Sequence, residues 1–174
     1  MLINLSDVLS EHHKTIDTVV SVEMTEFVST LGSFPIVEKE DAHIVVKHVK
    51  KRELMIDGKC KLVLELPCDR CLELVRTEMH LEFTKNVDLD ESSDEKDELD
   101  EKNYIDGYNL DVDKLLYNEM LIGWPMKILC SEDCKGICNV CGQNLNKGTC
   151  DCEDTSLDPR MSVIRDVFKN FKEV

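Results

Sequence analysis

The stretch "CDRCL", Cys68–Leu72, lies between two runs that read as β-strand, and a second knot of cysteines, "CSEDCKGICNVCGQNLNKGTCDC", fills 130–152. Whether Cys68 and Cys71 act alone or wait for partners far downstream decides the architecture. Eight of the nine cysteines fall into close pairs: Cys68 with Cys71, Cys130 with Cys134, Cys138 with Cys141, and Cys150 with Cys152. Zinc in a closed structural site takes four tetrahedral ligands and favours thiolates, so two short-looped pairs make one site. Four pairs kept intact can form two sites in three ways. "CNVCGQNLNKGTCDC" reads as a small zinc ribbon. Gly142 relieves the backbone after the second cysteine, and Asn144, Asn146 and Gly148 suit a tight hairpin before Cys150. That gives Cys138, Cys141, Cys150 and Cys152 one metal and leaves Cys68 and Cys71 to join Cys130 and Cys134. The other two partitions stay open.

The rival is thiol–disulfide exchange at Cys68 and Cys71. A redox CxxC sits best at a helix N-terminus, where the dipole lowers the thiol pKa. Here Pro67 and a strand precede it, a strand follows, and Asp69 opposes ionisation while Arg70 favours it. The ninth cysteine, Cys60, falls on an apolar strand face and reads as a small core residue.

Working outward, residues 1–87 predict a β-rich module. "TVVSVEMTEFV" (18–28) and "AHIVVKHV" (42–49) are strand-like, and Asp57-Gly58 predicts a two-residue hairpin between "ELMI" and "KCKLVLEL". Cys60, Leu62, Leu64 and Leu66 share one face. Val75, Thr77, Met79, Leu81 and Phe83 point inward from the next strand, against Arg76, Glu78, His80 and Glu82 outward. The pattern is that of an antiparallel meander with one wet face. From 88 to 102 nine acids stand against two lysines, which predicts an acidic disordered linker, with a docking tail for a basic partner as the alternative. "NLDVDKLLYNEMLIGWP" then predicts a helix with Val112, Leu115, Leu116 and Met120 in one stripe, stopped by Gly123 and Pro125. In "SLDPRMSVIRDVFKNF", Asp158 is an N-cap before Pro159, and Met161, Ile164, Phe168 and Phe171 fall on one helix face.

The fold class is therefore α+β. An antiparallel β-module (1–87) is followed by the acidic linker (88–103), a helix packing on the module (104–129), a cysteine-rich zinc-binding segment (130–155) and a C-terminal helix (156–174).

In 174 residues, 36 acids against 21 bases leave a formal charge of −15. This argues against non-specific nucleic-acid binding, which needs Lys and Arg on phosphates, and favours a basic partner. Asp7 interrupts what would be the apolar core of a signal peptide, and no long apolar run predicts a membrane span. A cytosolic chain with clustered cysteines points to metal rather than disulfides. No GxGxxG, GxxxxGK, HExxH or nucleophile elbow is present. A catalytic zinc keeps an open position, usually with histidine or carboxylate ligands, and eight cysteines in two sets leave none. The expectation is a protein that is not an enzyme.

The order of features resembles the YceD family of large ribosomal RNA subunit accumulation proteins. The resemblance is carried by "CDRCLE" (68–73), "LIGWPMKILC" (121–130), "DCKGICNVCGQNLN" (133–146) and "LDPRMSVI" (157–164). It implies a bacterial, cytoplasmic, non-enzymatic factor in 23S ribosomal RNA accumulation, and hence in large-subunit biogenesis. The motifs carry over Cys68, Cys71, Cys130, Cys134, Cys138, Cys141, Cys150 and Cys152 as metal ligands, with Arg70, Lys135 and Arg160 as binding residues. The cofactor expected is zinc, two structural ions. The partner expected is a basic ribosomal protein or pre-large-subunit particle, with ribosomal RNA engaged indirectly. Two alternatives stand beside this: a direct RNA-binding module using Lys47, Lys50, Lys51 and Arg52, and a thiol redox or zinc-storage protein.

Overall fold

A computed structural model describes residues 1–10, 14–50, 53–88 and 104–152. The acidic tract from 89 to 103, Lys51, Arg52, and the C-terminal segment with Arg160 lie outside the described residues. The chain divides into two compact units, one of Met1–Leu66 with Arg76–Met126, the other of Pro67–Val75 with the chain from Lys127 onward. The stretch read from sequence as one β-module, 1–87, is thus divided, and "CDRCL" sits with the downstream cysteines.

In the first unit, β1 (Leu2–Asn4) is followed by a short helix α1 (Ser6–Ser10), then β2 (Thr15–Val20), β3 (Glu26–Ser29), β4 (Gly32–Lys39) and β5 (Ala42–Lys50). Two long strands, β6 (Glu53–Pro67) and β7 (Leu74–Asp88), come next, then β8 (Ile105–Asp106), β9 (Asn109–Asp111) and α2 (Val112–Ile122). The larger sheet runs β2-β5-β6-β4-β3, with β7 also paired to β6. β6 is long enough to serve two partners in sequence, β5 along Glu53–Lys59 and β4 along Leu62–Leu64, both antiparallel. β1, β9 and β8 make a small three-stranded sheet.

Two expectations are corrected. The stretch 18–28 is not one strand: β2 ends at Val20, Val22 is buried, and β3 begins at Glu26. Asp57-Gly58 is not a hairpin turn. It lies within β6, opposite Val45 and Ile44 of β5. The reason is a side chain that local sequence could not reveal. A Cβ built on Gly58 would fall 2.1 Å from Cζ of Phe83, so the Phe83 ring of β7 lies directly against the bare backbone. Asp57 is also spoken for, accepting hydrogen bonds from Lys47 Nζ and Thr84 Oγ1, each at 2.8 Å. These hold its carboxyl below the ordinary range, Lys47 contributing most.

The alternation read in the strands holds. Cys60, Leu62, Leu64 and Leu66 of β6 are buried, as are Met79, Leu81 and Val87 of β7, while Arg76, Glu78, His80 and Glu82 face water. α2 also follows its stripe, with Val112, Leu115, Leu116 and Met120 the buried residues, but a third expectation is corrected with it: the helix does not fill 104–129, since Ile105–Asp106 and Asn109–Asp111 are β8 and β9. Asp111 caps its start through Lys114 N, and the Gly123 amide closes its end on Glu119 O. Tyr117 donates to Val28 O at 2.8 Å and Lys85 pairs with Glu119 at 3.0 Å, tying α2 to β3 and β7. Trp124, just past the helix, stacks on Phe27 at 4.9 Å. Large, fully buried apolar residues such as Leu54, Ile56, Leu62, Leu64, Leu115 and Leu116 form this core. Each such side chain is worth roughly 1.5–3 kcal/mol relative to exposure.

Candidate metal centre

The second unit is built from the link between β6 and β7 together with the chain that follows α2. Cys68 N donates to Glu73 O, and Leu72 N donates to Cys68 O at 2.9 Å, closing a tight knuckle. Asp69 fastens this knuckle to the downstream segment twice. Its amide donates to Ile128 O at 2.8 Å, and its Oδ2 accepts from Ile128 N at 2.7 Å. Arg70 adds a third fastening, its guanidinium donating to the carbonyl oxygen of Cys134 at 2.8 Å. Lys147 forms an ion pair with Glu73.

These fastenings bring Cys68, Cys71, Cys130 and Cys134 together, and the ribbon brings Cys138, Cys141, Cys150 and Cys152 together. In each set all four sulfurs lie within 4.8 Å of one another. Across the first set, Cys68 Sγ to Cys134 Sγ is 3.8 Å and Cys71 Sγ to Cys130 Sγ is 3.5 Å. A tetrahedron with zinc–sulfur bonds near 2.3 Å has edges of about 3.8 Å. Of the three partitions open in sequence, the geometry selects the one in which the ribbon keeps its own set.

The backbone is shaped for thiolates. Burial opposes ionisation of Cys68, but the amides of Cys71, Arg70 and Cys130 outweigh it and bring that thiol to about 6. Cys138 likewise falls to about 6, through the amides of Cys141 and Val140. Their neighbours move the other way. The sulfurs of Cys134 and Cys71 push Cys130 up to about 12, and Cys141 and Cys138 push Cys152 up to about 12. Four thiolates this close repel one another unless a cation sits among them. The donor set, its spacing and its amides therefore fit a four-coordinate soft divalent metal.

The two sets differ in their surroundings. Cys68, Cys71 and Cys134 are buried, and Val75, Leu129 and Ile137 pack against them. In the ribbon Cys141 is exposed and the other three are intermediate. Sequence reasoning took Asn146 only as a turn former. In the structure its side chain reaches from the segment between Cys141 and Cys150 to the first set. Its Nδ2 lies 3.3 Å from Cys134 Sγ and its Oδ1 accepts from Lys135 N at 2.8 Å. That amide is the leading cause of a lowered Cys134 pKa. The only available signal was its position in "NLN", before Cys150, where a turn asparagine and a ligand-orienting one look alike.

Arg70 and Lys135, carried over as binding residues, are described; Arg160 is not. Arg70 is exposed and donates to the backbone carbonyls of Cys134 and Glu132, whereas the Lys135 backbone amide is the group held by Asn146. The two knuckles also share a turn. Gly142 N donates to Cys138 O at 2.9 Å, as Leu72 N does to Cys68 O, and both residues are left-handed, with φ of 74° and 62°. For glycine that conformation is free. For leucine it costs about 1–2 kcal/mol.

The family model described as "Large ribosomal RNA subunit accumulation protein YceD" matches residues 56–168, a span enclosing both cysteine sets. A curated relative, "Large ribosomal RNA subunit accumulation protein YCED homolog 1, chloroplastic" of Arabidopsis thaliana, is 30% identical over 132 residues. The match covers 59% of this chain and 40% of that relative, so the chain spans about two fifths of the relative's length. No solved structure matches.

Proposed function

The chain belongs to the YceD family of large ribosomal RNA subunit accumulation proteins, and from that premise we propose that it is a non-enzymatic, cytoplasmic factor in large-subunit biogenesis. It holds two structural zinc ions, one in a small ribbon, and binds a basic ribosomal protein or a pre-large-subunit particle. The observation that carries this reading is the pair of four-cysteine sets inside the matched span. All-thiolate sets are closed, so the metals shape a surface rather than perform a reaction. Each tetrathiolate zinc adds two negative charges, taking −15 to about −19. Such a charge favours a basic protein over bare RNA.

For the RNA-binding alternative, Lys47 was to be part of the patch, and it is held by Asp57 at 2.8 Å. For the redox alternative, Cys71 lies 3.5 Å from Cys130 and Cys68 lies 3.8 Å from Cys134, a grouping that supports a metal set over an isolated pair.

The test has two arms. Native mass spectrometry should find two zinc ions in the chain and one in a Cys68→Ser, Cys71→Ser double variant. Depletion in cells should lower large-subunit ribosomal RNA and shift sucrose-gradient profiles toward immature particles. An unchanged gradient would sink the biogenesis role. Two zinc ions kept by the double variant would sink the assignment of the first site.

A further inference from the structure

Leu72 is the one described residue other than glycine with a positive φ, and it is 64% exposed, beside Leu74 at 67%. The same place in the second knuckle is filled by Gly142, with the same closing hydrogen bond. The turn therefore needs no side chain there. Leucine strains the backbone and leaves an apolar side chain in water, and neither effect helps the fold or the metal set. Strained residues cluster at functional sites and ligand clamps, and Leu72 in the knuckle with Leu74 opening β7 gives two exposed apolar side chains that a partner's pocket can cover.

The occupant follows from charge. In the described part of the second unit, Asp69, Glu73, Glu132, Asp133 and Asp151 stand against Arg70, Lys127, Lys135 and Lys147, one acid in excess, within a chain of formal charge −15. Two tetrathiolate zinc ions add about four more negative charges to this small unit. An apolar anchor in such a field fits a partner with an apolar pocket rimmed by Lys and Arg. We infer that Leu72, with Leu74 beside it, is the anchor by which this protein grips a basic protein of the large ribosomal subunit. The inference rests on the function proposed above and names the residues that would carry it.

The test uses the full, zinc-loaded chain, immobilised, and as probe the proteins of purified large subunits freed of RNA. Leu72→Gly and Leu72→Asn both suit the left-handed position, so each should keep two zinc ions and the knuckle. Each should melt no lower than the parent chain, while retention of the basic protein falls about tenfold, as for a truncated interface anchor. Leu74→Ser, outside the strained position, should weaken retention in the same direction. Parent-like retention by both Leu72 variants overturns the inference and leaves the proposed function standing. If the parent chain itself retains no large-subunit protein, or retains only added ribosomal RNA, the basic-partner reading falls and the inference with it.

Discussion

Replacing Asn146 by alanine should loosen a metal set to which Asn146 contributes no ligand. Its amide Nδ2 lies 3.3 Å from Cys134 Sγ, and its Oδ1 receives the Lys135 amide at 2.8 Å. A hydrogen bond to a charged acceptor is worth roughly 1.5–3 kcal/mol, and partners behind a metal ligand typically change affinity by about 10–100-fold. The two ranges agree, since tenfold corresponds to about 1.4 kcal/mol. The assay is pulsed alkylation of the zinc-loaded chain under limiting chelator, read cysteine by cysteine by mass spectrometry. In Asn146→Ala, labelling of Cys68, Cys71, Cys130 and Cys134 should rise by about 10–100-fold, with the ribbon cysteines little changed. Asn146→Asp separates this account from a simple loss of turn. Aspartate can still accept from Lys135 N, but it places a carboxylate against a thiolate, so it should release the first set faster than alanine does. Release from the ribbon set alone, or an aspartate variant as tight as the parent, would refute the reasoning and return Asn146 to the role of turn former.

Gly58→Ala should destabilise the first unit by about 1–3 kcal/mol, as overpacking does, because the new Cβ meets the Phe83 ring at 2.1 Å. In a Phe83→Ala background the same change should turn stabilising by roughly 0.5–1 kcal/mol, the ordinary gain of alanine over glycine in a strand; denaturant melts of the four chains check the reversal of sign. Cys60 is 4% exposed, and burial together with Glu40 and Asp41 pushes its thiol up to about 11. At pH 8 it stays a neutral, covered thiol, so removing the metals should expose eight cysteines to iodoacetamide under native conditions, and a ninth only on unfolding. Nine labels before unfolding would contradict that burial.

What could be read in the sequence was what repeats or what binds. α2 obeyed its helical stripe because Val112, Leu115, Leu116 and Met120 answer to one buried face, and its stop at Gly123 is local, whereas Asn109–Asp111, read as helix, is drawn into β9 by pairing with β1. The alternation of β7 held for the same reason. The cysteine pairs were legible as pairs, although only coordinates chose among the three partitions. The failures came where a distant side chain overruled a local rule. Asp57-Gly58 has the composition of a hairpin turn, but glycine there leaves room for the ring of Phe83, and aspartate receives Lys47 and Thr84. Leu72 looks like an ordinary leucine. Its φ became notable only beside Gly142, which does the same work in the other knuckle.

The two metal sets have the same ligands but different leverage on folding. The ribbon set joins cysteines of one short segment, so a metal there closes only short loops. The first set joins Cys71 to Cys130 across a sequence separation of 59 residues, and that interval holds β7, β8, β9 and α2. A cross-link closing a loop of that length removes about 4 kcal/mol of unfolded-state entropy in the chain-entropy account, with a further gain of only about 0.6 kcal/mol per doubling of length. Such a term is comparable to much of the net stability of a small domain, roughly 5–15 kcal/mol. The elements it restrains carry none of its ligands. A metal held by "CDRC" and its downstream partners would therefore stabilise the β-core through the connectivity of the chain, while a metal in the second set would organise chiefly its own short segment. Asn146 sits between the two sets, carried by the segment that holds the second and hydrogen-bonded to Cys134 of the first, so order in that segment feeds directly into the first set.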